Sequence, residues 1–268
     1  MLHWKNTLSW LAFLLFLGVL IFFVESIYEN QRCKKVDIQV DKNTECNFVT
    51  KENIANLLSE NGNKPILGSK FNKLNLESLE KNILNNKRIK ACQISRTLGG
   101  VLSVKVQQKN PIARIVPLHG TIDKFEGLYL DSEGGVFPLS NHFTKRVVLL
   151  SGKYLIGKKN LKSTKDKNIV AFIQKIDSDV FWKANITHLI IDSDQNISFL
   201  PLIGDFTIEY GIPFVEDFEA KMNKIKVFYK QIDVENNGKY KMVSVKYKNQ
   251  IVCQLKENVQ RLDSLRNS

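Results

Sequence analysis

The chain has 268 residues, 43% of them hydrophobic, with 39 Lys and Arg against 27 Asp and Glu for a formal net charge of +12. That apolar content, with 16 Phe, excludes a disordered chain and is enough for one large domain or two ordinary ones. The positive balance suits nucleic acid, an anionic membrane surface or an acidic partner, and by itself does not choose among them.

The first element is an unbroken apolar run from Trp10 to Val24, WLAFLLFLGVLIFFV, with a single Gly18. Extended by Leu8 and Ser9 it makes roughly 25 Å of helix, against a hydrocarbon core of ~30 Å. Trp10 and Tyr28 lengthen the match as interfacial aromatics. The predicted transmembrane helix covers 8–28, with Trp10, Leu11, Phe13, Leu14, Phe16, Leu17, Leu20 and Phe23 towards lipid, behind a tail at 1–7. A helix that is apolar all round, ahead of every other element, is a poor core piece. A cleavable signal peptide is the stronger alternative, since Lys5 gives a basic start, but Phe22 to Ile27 contains no A-x-A-like site. Orientation stays open. Lys5 precedes the span while Arg32, Lys34 and Lys35 follow it, and long translocated domains often disregard that bias.

After a polar neck, Val36, Ile38 and Val40 alternate with Asp37, Gln39 and Asp41, which predicts a half-buried strand over Lys35 to Asp41. Thr50 stands at a capping position before a helix carrying Ile54, Leu57 and Leu58 and ending at Gly62. A second helix runs from Leu76 to Asn86, with Leu76, Leu79, Ile83 and Leu84 on its inner face. Strands Ile89 to Thr97 and Leu102 to Gln107 follow, joined through Gly99 and Gly100. The order β-α-α-β-β describes a small α+β module with two helices packed on one face of three strands.

A second domain begins near Pro111. Ile112 to Val116 and Leu128 to Leu130 read as strands, Asp131 to Gly135 as a turn into Val136, and Val147 to Leu150 as a short buried strand. The basic stretch Lys153 to Lys167 holds Lys158, Lys159, Lys162 and Lys165 without interleaved aromatics. That pattern predicts a solvated loop, not a single-strand nucleic-acid site. From Lys167 to Trp182, the spacing of Ile169, Val170, Phe172, Ile173, Ile176 and Val180 predicts one core-facing helix. Strands His188 to Asp192, Ile197 to Leu200 and Phe206 to Glu209 come next. A helix from Val215 to Ile232 turns Phe218, Met222, Ile225, Phe228, Tyr229 and Ile232 inward. The last elements are strands Lys241 to Tyr247 and Gln250 to Leu255, a hairpin over Lys248 and Asn249, and then a polar tail.

No residue set nominates chemistry. Cys33, Cys46, Cys92 and Cys253 show no C-x-x-C spacing. Cys33 and Cys46 flank the first strand, where export would allow either a disulfide or two inert thiols. His3, His119, His142 and His188 are scattered, and no G-x-S-x-G, P-loop or G-x-G-x-x-G occurs. No catalytic, cofactor-binding or metal-ligating residue is expected.

The run from Ile89 to Arg96, followed by Leu102-Ser103-Val104-Lys105-Val106 and Asn110-Pro111-Ile112-Ala113, resembles the end of a POTRA domain. More narrowly it resembles the FtsQ/DivIB family of bacterial division proteins, as does the later hairpin Leu128 to Phe137. Gln108 stands near the Glu expected in that family, and Thr97-Leu98-Gly99-Gly100 replaces a Trp-Pro turn. The resemblance implies a POTRA domain at 33–111, a larger mixed α/β domain with a mainly antiparallel sheet at 112–256, and a polar tail at 257–268. It also implies a non-enzymatic, single-pass scaffold of the inner membrane, N-terminus cytoplasmic and bulk periplasmic, at the division septum. Its partners would be membrane division proteins similar to FtsB and FtsL. Neither nucleic acid nor a small-molecule substrate is expected.

In that family the segment matching Val243 to Tyr247 carries a partner site. The expected site here is an open edge strand formed by Lys241, Val243, Val245, Lys246, Tyr247, Lys248, Gln250 and Ile251, to which a partner adds a strand. Its lysines guard the edge and suit an acidic partner. Ser244 stands in place of an Asp common in the family. Two other classes remain: a membrane-anchored hydrolase, which needs a nucleophile or perturbed carboxylates in a pocket, and a POTRA-bearing transport component, whose barrel the two predicted helices would interrupt.

Overall fold

Three strands and two amphipathic helices follow the first helix, as the hydrophobic periods require. The computed structural model describes residues 2–41, 46–60, 62–97, 99–118, 127–231 and 238–256, and for 2–8 and 24–30 the backbone alone. The chain divides into two units, Met1–Lys109 and Asn110–Ser268. Expectations for Leu8, Val24, Tyr28, His119, Ile232 and the tail at 257–268 fall outside the described side chains.

Helix α1 (Leu2–Asn30) is continuous over 29 residues. Its large apolar side chains from Trp10 to Phe23 are all at least 42% exposed, so they are not buried against other described residues. Among the described residues, no helix is long and apolar enough to cross a membrane.

In the first unit, β1 (Lys35–Val40), α2 (Lys51–Leu58), α3 (Leu76–Leu84), β2 (Ile89–Arg96) and β3 (Val101–Gln108) follow the predicted order. Thr50 and Asn53 close a reciprocal cap on α2: Oγ1 accepts from Asn53 N at 3.2 Å and Oδ1 accepts from Thr50 N at 3.1 Å. Strand β3 lies at the centre of the sheet, parallel to β1 and antiparallel to β2. Ile54, Ile83, Leu102 and Val104 are fully buried between helices and sheet. Leu84 is not on the inner face and is 42% exposed. It follows Ile83 by one residue, about 100° around the helix, which carries it past the margin of the buried stripe. Gln108 is buried at the end of β3, where its Oε1 accepts from Val49 N at 2.8 Å and its Nε2 donates to Cys46 O at 3.0 Å. An amide gives and takes at once, whereas a carboxylate only accepts. The Cys33 thiol donates to Lys35 O at 3.5 Å and is not half of a disulfide.

The second unit is one nine-stranded sheet with helices on one face. Its strands are β4 (Pro111–Ile115), β5 (Leu128–Asp131), β6 (Val136–Pro138), β7 (Val148–Ser151), β8 (Ile186–Ile191), β9 (Ile197–Pro201), β10 (Thr207–Gly211), β11 (Tyr240–Ser244) and β12 (Val252–Leu255), in the spatial order β12-β11-β10-β9-β8-β7-β4-β5-β6. Pairings within β4–β5–β6, β8–β9–β10 and β11–β12 are antiparallel. Those of β4 with β7, β7 with β8 and β10 with β11 are parallel. A parallel neighbour needs a crossover. Helix α4 (Lys167–Ser178), followed by α5 (Val180–Asn185), carries the chain from β7 to β8, and α6 (Phe218–Gln231) carries it from β10 to β11. Phe172 of α4 meets the Tyr210 ring at 4.6 Å and the Phe218 ring at 5.6 Å, linking both crossovers to the core.

Two expectations change. The predicted helix from Lys167 to Trp182 is broken at Asp179, whose carboxylate accepts from Phe181 N at 2.8 Å and Trp182 N at 3.0 Å. An aspartate that captures those N–H groups starts a new helix in preference to continuing the old one. Val180, expected in the core, is 87% exposed, and Trp182 is buried in its stead. The basic stretch is also more than a solvated loop, being wound around buried Asp166. That carboxylate accepts from Tyr154 Oη at 2.7 Å, Lys158 Nζ at 2.5 Å and Ser163 N at 2.9 Å. Leu161 N donates to Gly134 O at 2.7 Å, fastening the loop to the β5–β6 turn. A Cβ on Gly134 would lie 2.1 Å from Leu161 O, so only glycine permits this approach.

Gln108→Glu keeps the acceptor, loses the donor to Cys46 O and buries a charge. It should lower stability by about 1–3 kcal/mol, read as an earlier urea midpoint of the detergent-solubilised chain; an unchanged midpoint contradicts the bridging role. For Asp166, burial pushes the pKa up, but the hydrogen bonds from Lys158, Ser163 and Tyr154 outweigh it and hold the carboxyl at about 2. A depressed folded-state pKa gives stability that is present above the ordinary carboxylate range and is lost as pH falls from about 4 towards 2. The stability gap between wild type and Asp166→Asn should therefore shrink by about 2 kcal/mol across that window. A gap independent of pH would refute the assignment.

Candidate functional site

A strand accepts a partner strand only where one row of its backbone groups is free, so the sheet edges are the places to search. In the first unit the β2 edge is guarded, since Glu80 Oε1 accepts from Ile94 N at 2.6 Å. In the second unit one edge is β6, three residues long and ending in Pro138, which blunts it. The other edge is β12.

The predicted site strand is not that edge. β11 lies between β10 and β12, pairing Ile208 with Val243 on one side and Cys253 with Val243 on the other. Val243 and Val245 are fully buried in the core. Val245 N donates to Glu209 O at 2.9 Å, so a proline there would break the sheet itself. Lys241, Lys246, Lys248 and Gln250 are exposed, Tyr247 is 45% exposed and Ile251 is half-buried. The α6 crossover, visible in the sequence as a helix between two strands, is compatible with β11 running parallel to a strand of the same sheet but does not say which one.

Strand β12 presents Val252, Cys253 and Gln254 to solvent, with Leu255 half-buried. It is held at both ends. Lys256 N donates to Lys239 O at 2.9 Å, and Lys256 Nζ pairs with Asp205 at 2.8 Å. At the other end, Lys224 of α6 donates to Val245 O at 3.2 Å and to Tyr247 O, clamping the approach to the 247–249 turn. No local pattern in the sequence marks Lys224 for that role. Lys246 pairs with Glu209 at 3.3 Å, which raises the amine's pKa, and its Nζ lies 5.1 Å from the Tyr247 ring centre. Lys239, Lys241 and Lys248 remain as exposed cations flanking the edge.

Nearby polar groups have structural duties. A cavity of about 220 Å³ beside Lys246 is lined by Asp192, Asn196 and Glu209, but the Asp192 carboxylate accepts from Asp194 N and Asn196 N, both at 2.9 Å. His188 Nε2 lies 2.8 Å from Ser151 Oγ, a pairing reminiscent of a nucleophile and base. Ser151 is 3% exposed, however, so no substrate reaches that hydroxyl. Burial lowers the His188 pKa.

Comparison with known proteins agrees with this architecture. Residues 31–107 match the model of the POTRA-like domain. No curated protein matches the chain. Residues 110–254, more than half of the 268, match the family model described as FtsQ/DivIB, C-terminal related, and the chain belongs to the FtsQ/DivIB family of cell division proteins.

Proposed function

We propose that this chain is a membrane-anchored scaffold of the division machinery that captures partners through the open edge of β12. Helix α1 serves as a single span of the inner membrane, with the N-terminus cytoplasmic and the bulk of the chain periplasmic at the division septum. The domains follow as a POTRA module from Cys33 to Lys109 and a nine-stranded domain that begins at Asn110, two residues ahead of the expected boundary. The partners are membrane division proteins similar to FtsB and FtsL, and their capture helps regulate septal wall synthesis. The carrying observation is β12 itself, an exposed outermost strand fixed at both ends and flanked by Lys239, Lys241 and Lys248. Strand addition supplies main-chain hydrogen bonds, and the lysines favour an acidic partner segment. The exposed apolar side chains of α1 support the anchor, because so large a bare surface needs lipid or protein to cover it. Confinement to one plane raises the effective concentration of partners anchored there too, so binding suffices and no catalysis is required.

Successive residues of a strand turn their N–H groups to opposite sides, so Cys253→Pro and Gln254→Pro distinguish the two rows of β12. One should disturb pairing with β11. The other should leave the fold intact, by thermal melting, and lose co-purification of single-span partners from detergent-solubilised membranes. Undiminished capture by a folded proline variant at each position would overturn the edge. Lys239→Glu with Lys241→Glu and Lys248→Glu should weaken capture most at low salt.

A further inference from the structure

The neck between α1 and β1 is built into the first unit. Directly after the helix, Gln31 O accepts from Phe71 N at 3.0 Å, Cys33 N donates to Ser69 O at 2.9 Å, and Cys33 O accepts from Gly68 N at 2.8 Å. Arg32 Nη1 donates to Gly68 O at 2.8 Å, and Lys34 N donates to Gly100 O at 2.8 Å. Gly100, at φ 79°, comes so close that a Cβ would lie 3.0 Å from Arg32 O. The 65–73 segment and the β2–β3 turn therefore meet at the C-terminal end of α1, bonded through the backbone.

What gathers there is chemically one-sided. Arg32, Lys34, Lys35 and Lys73 are exposed and Lys70 half-exposed, while Leu67, at the tip of the same segment, is 61% exposed. The acidic groups nearby are Glu25 and Glu29 within α1, Asp37, which accepts from Gln39 at 2.7 Å, and Glu60, already paired with Lys64 at 2.8 Å. A basic ring with one apolar side chain, fixed at the end of a long apolar helix, matches the boundary between headgroups and acyl chains. Cations take the phosphate level there and a leucine enters beneath it.

We propose that this collar binds the headgroups of anionic phospholipids, with Leu67 inserted between them, and so holds the POTRA-like domain against the bilayer. The inference rests on the anchor reading of α1. Because the neck is bonded to the domain, lipid contact at the collar fixes the domain's tilt as well as its distance from the membrane.

The full chain is reconstituted into nanodiscs of phosphatidylcholine alone or with phosphatidylglycerol, and amide exchange is followed at residues 64–73. Exchange there should slow by roughly tenfold with phosphatidylglycerol, as expected when two or more cations engage an anionic surface, and the difference should vanish at high salt. Lys34→Gln with Lys35→Gln and Lys73→Gln spares the bonded Arg32 and should abolish the lipid dependence with an unchanged melting temperature. Leu67→Ser should reduce it. Incorporation into both discs with equal exchange would overturn the collar and leave the anchor standing. Failure to enter either disc would overturn both.

Discussion

The parallel pairing of β10 with β11 is the constraint on which the rest of the second unit depends. Parallel neighbours cannot be joined by a tight turn, so the chain leaves β10, crosses the sheet as α6 and returns beside it. Three consequences follow from that single detour. The apolar side of α6 covers the sheet end through Phe218, Met222, Ile225 and Phe228. Its Lys224 reaches the carbonyls that lead into the final turn. Strand β11 is enclosed, and β12 becomes the outermost strand by default. The same logic places β8 beside β7 after α4 and α5, so the sheet grows outward from two crossovers.

Buried polar groups do a different kind of work from the apolar core. Gln108 and Asp166 each sit where chain segments without regular structure must be held against a sheet or a helix start. Each satisfies several backbone or side-chain partners at once, which offsets the cost of taking it from water. Apolar contacts alone would bury these segments without specifying their path. The carboxylate of Asp166 takes Lys158 inward while the other lysines of that stretch stay exposed, so part of the chain's positive charge belongs to the fold and part to the surface.

The first unit carries its own version of this economy at the neck. A flexible linker after α1 would let the POTRA-like domain move freely relative to that helix. Backbone bonds from residues 31–34 to 68–71 and to Gly100 remove that freedom. Helix α1 and the domain that follows it are thereby coupled through the backbone.

Much was legible from residues alone. The apolar run marked α1, the period-two alternation marked β1, and Thr50 marked the start of α2, because each is a local pattern with a local physical cause. The Asp131 to Gly135 turn was equally plain, its carboxylate accepting from Gly135 N at 2.7 Å. Leu84 and Val180 were misplaced where an apolar residue falls off the helical stripe or beyond a cap, and hydrophobicity alone does not see the break. The candidate site lay further out of reach. The last hairpin was readable, yet which of its strands faces solvent depends on whether β11 returns beside β10, and that is decided by pairing between segments some thirty residues apart. Local sequence determined the strands, helices and family of this protein. Only the tertiary structure decided which strand is the edge, because an edge is defined by the neighbour it lacks.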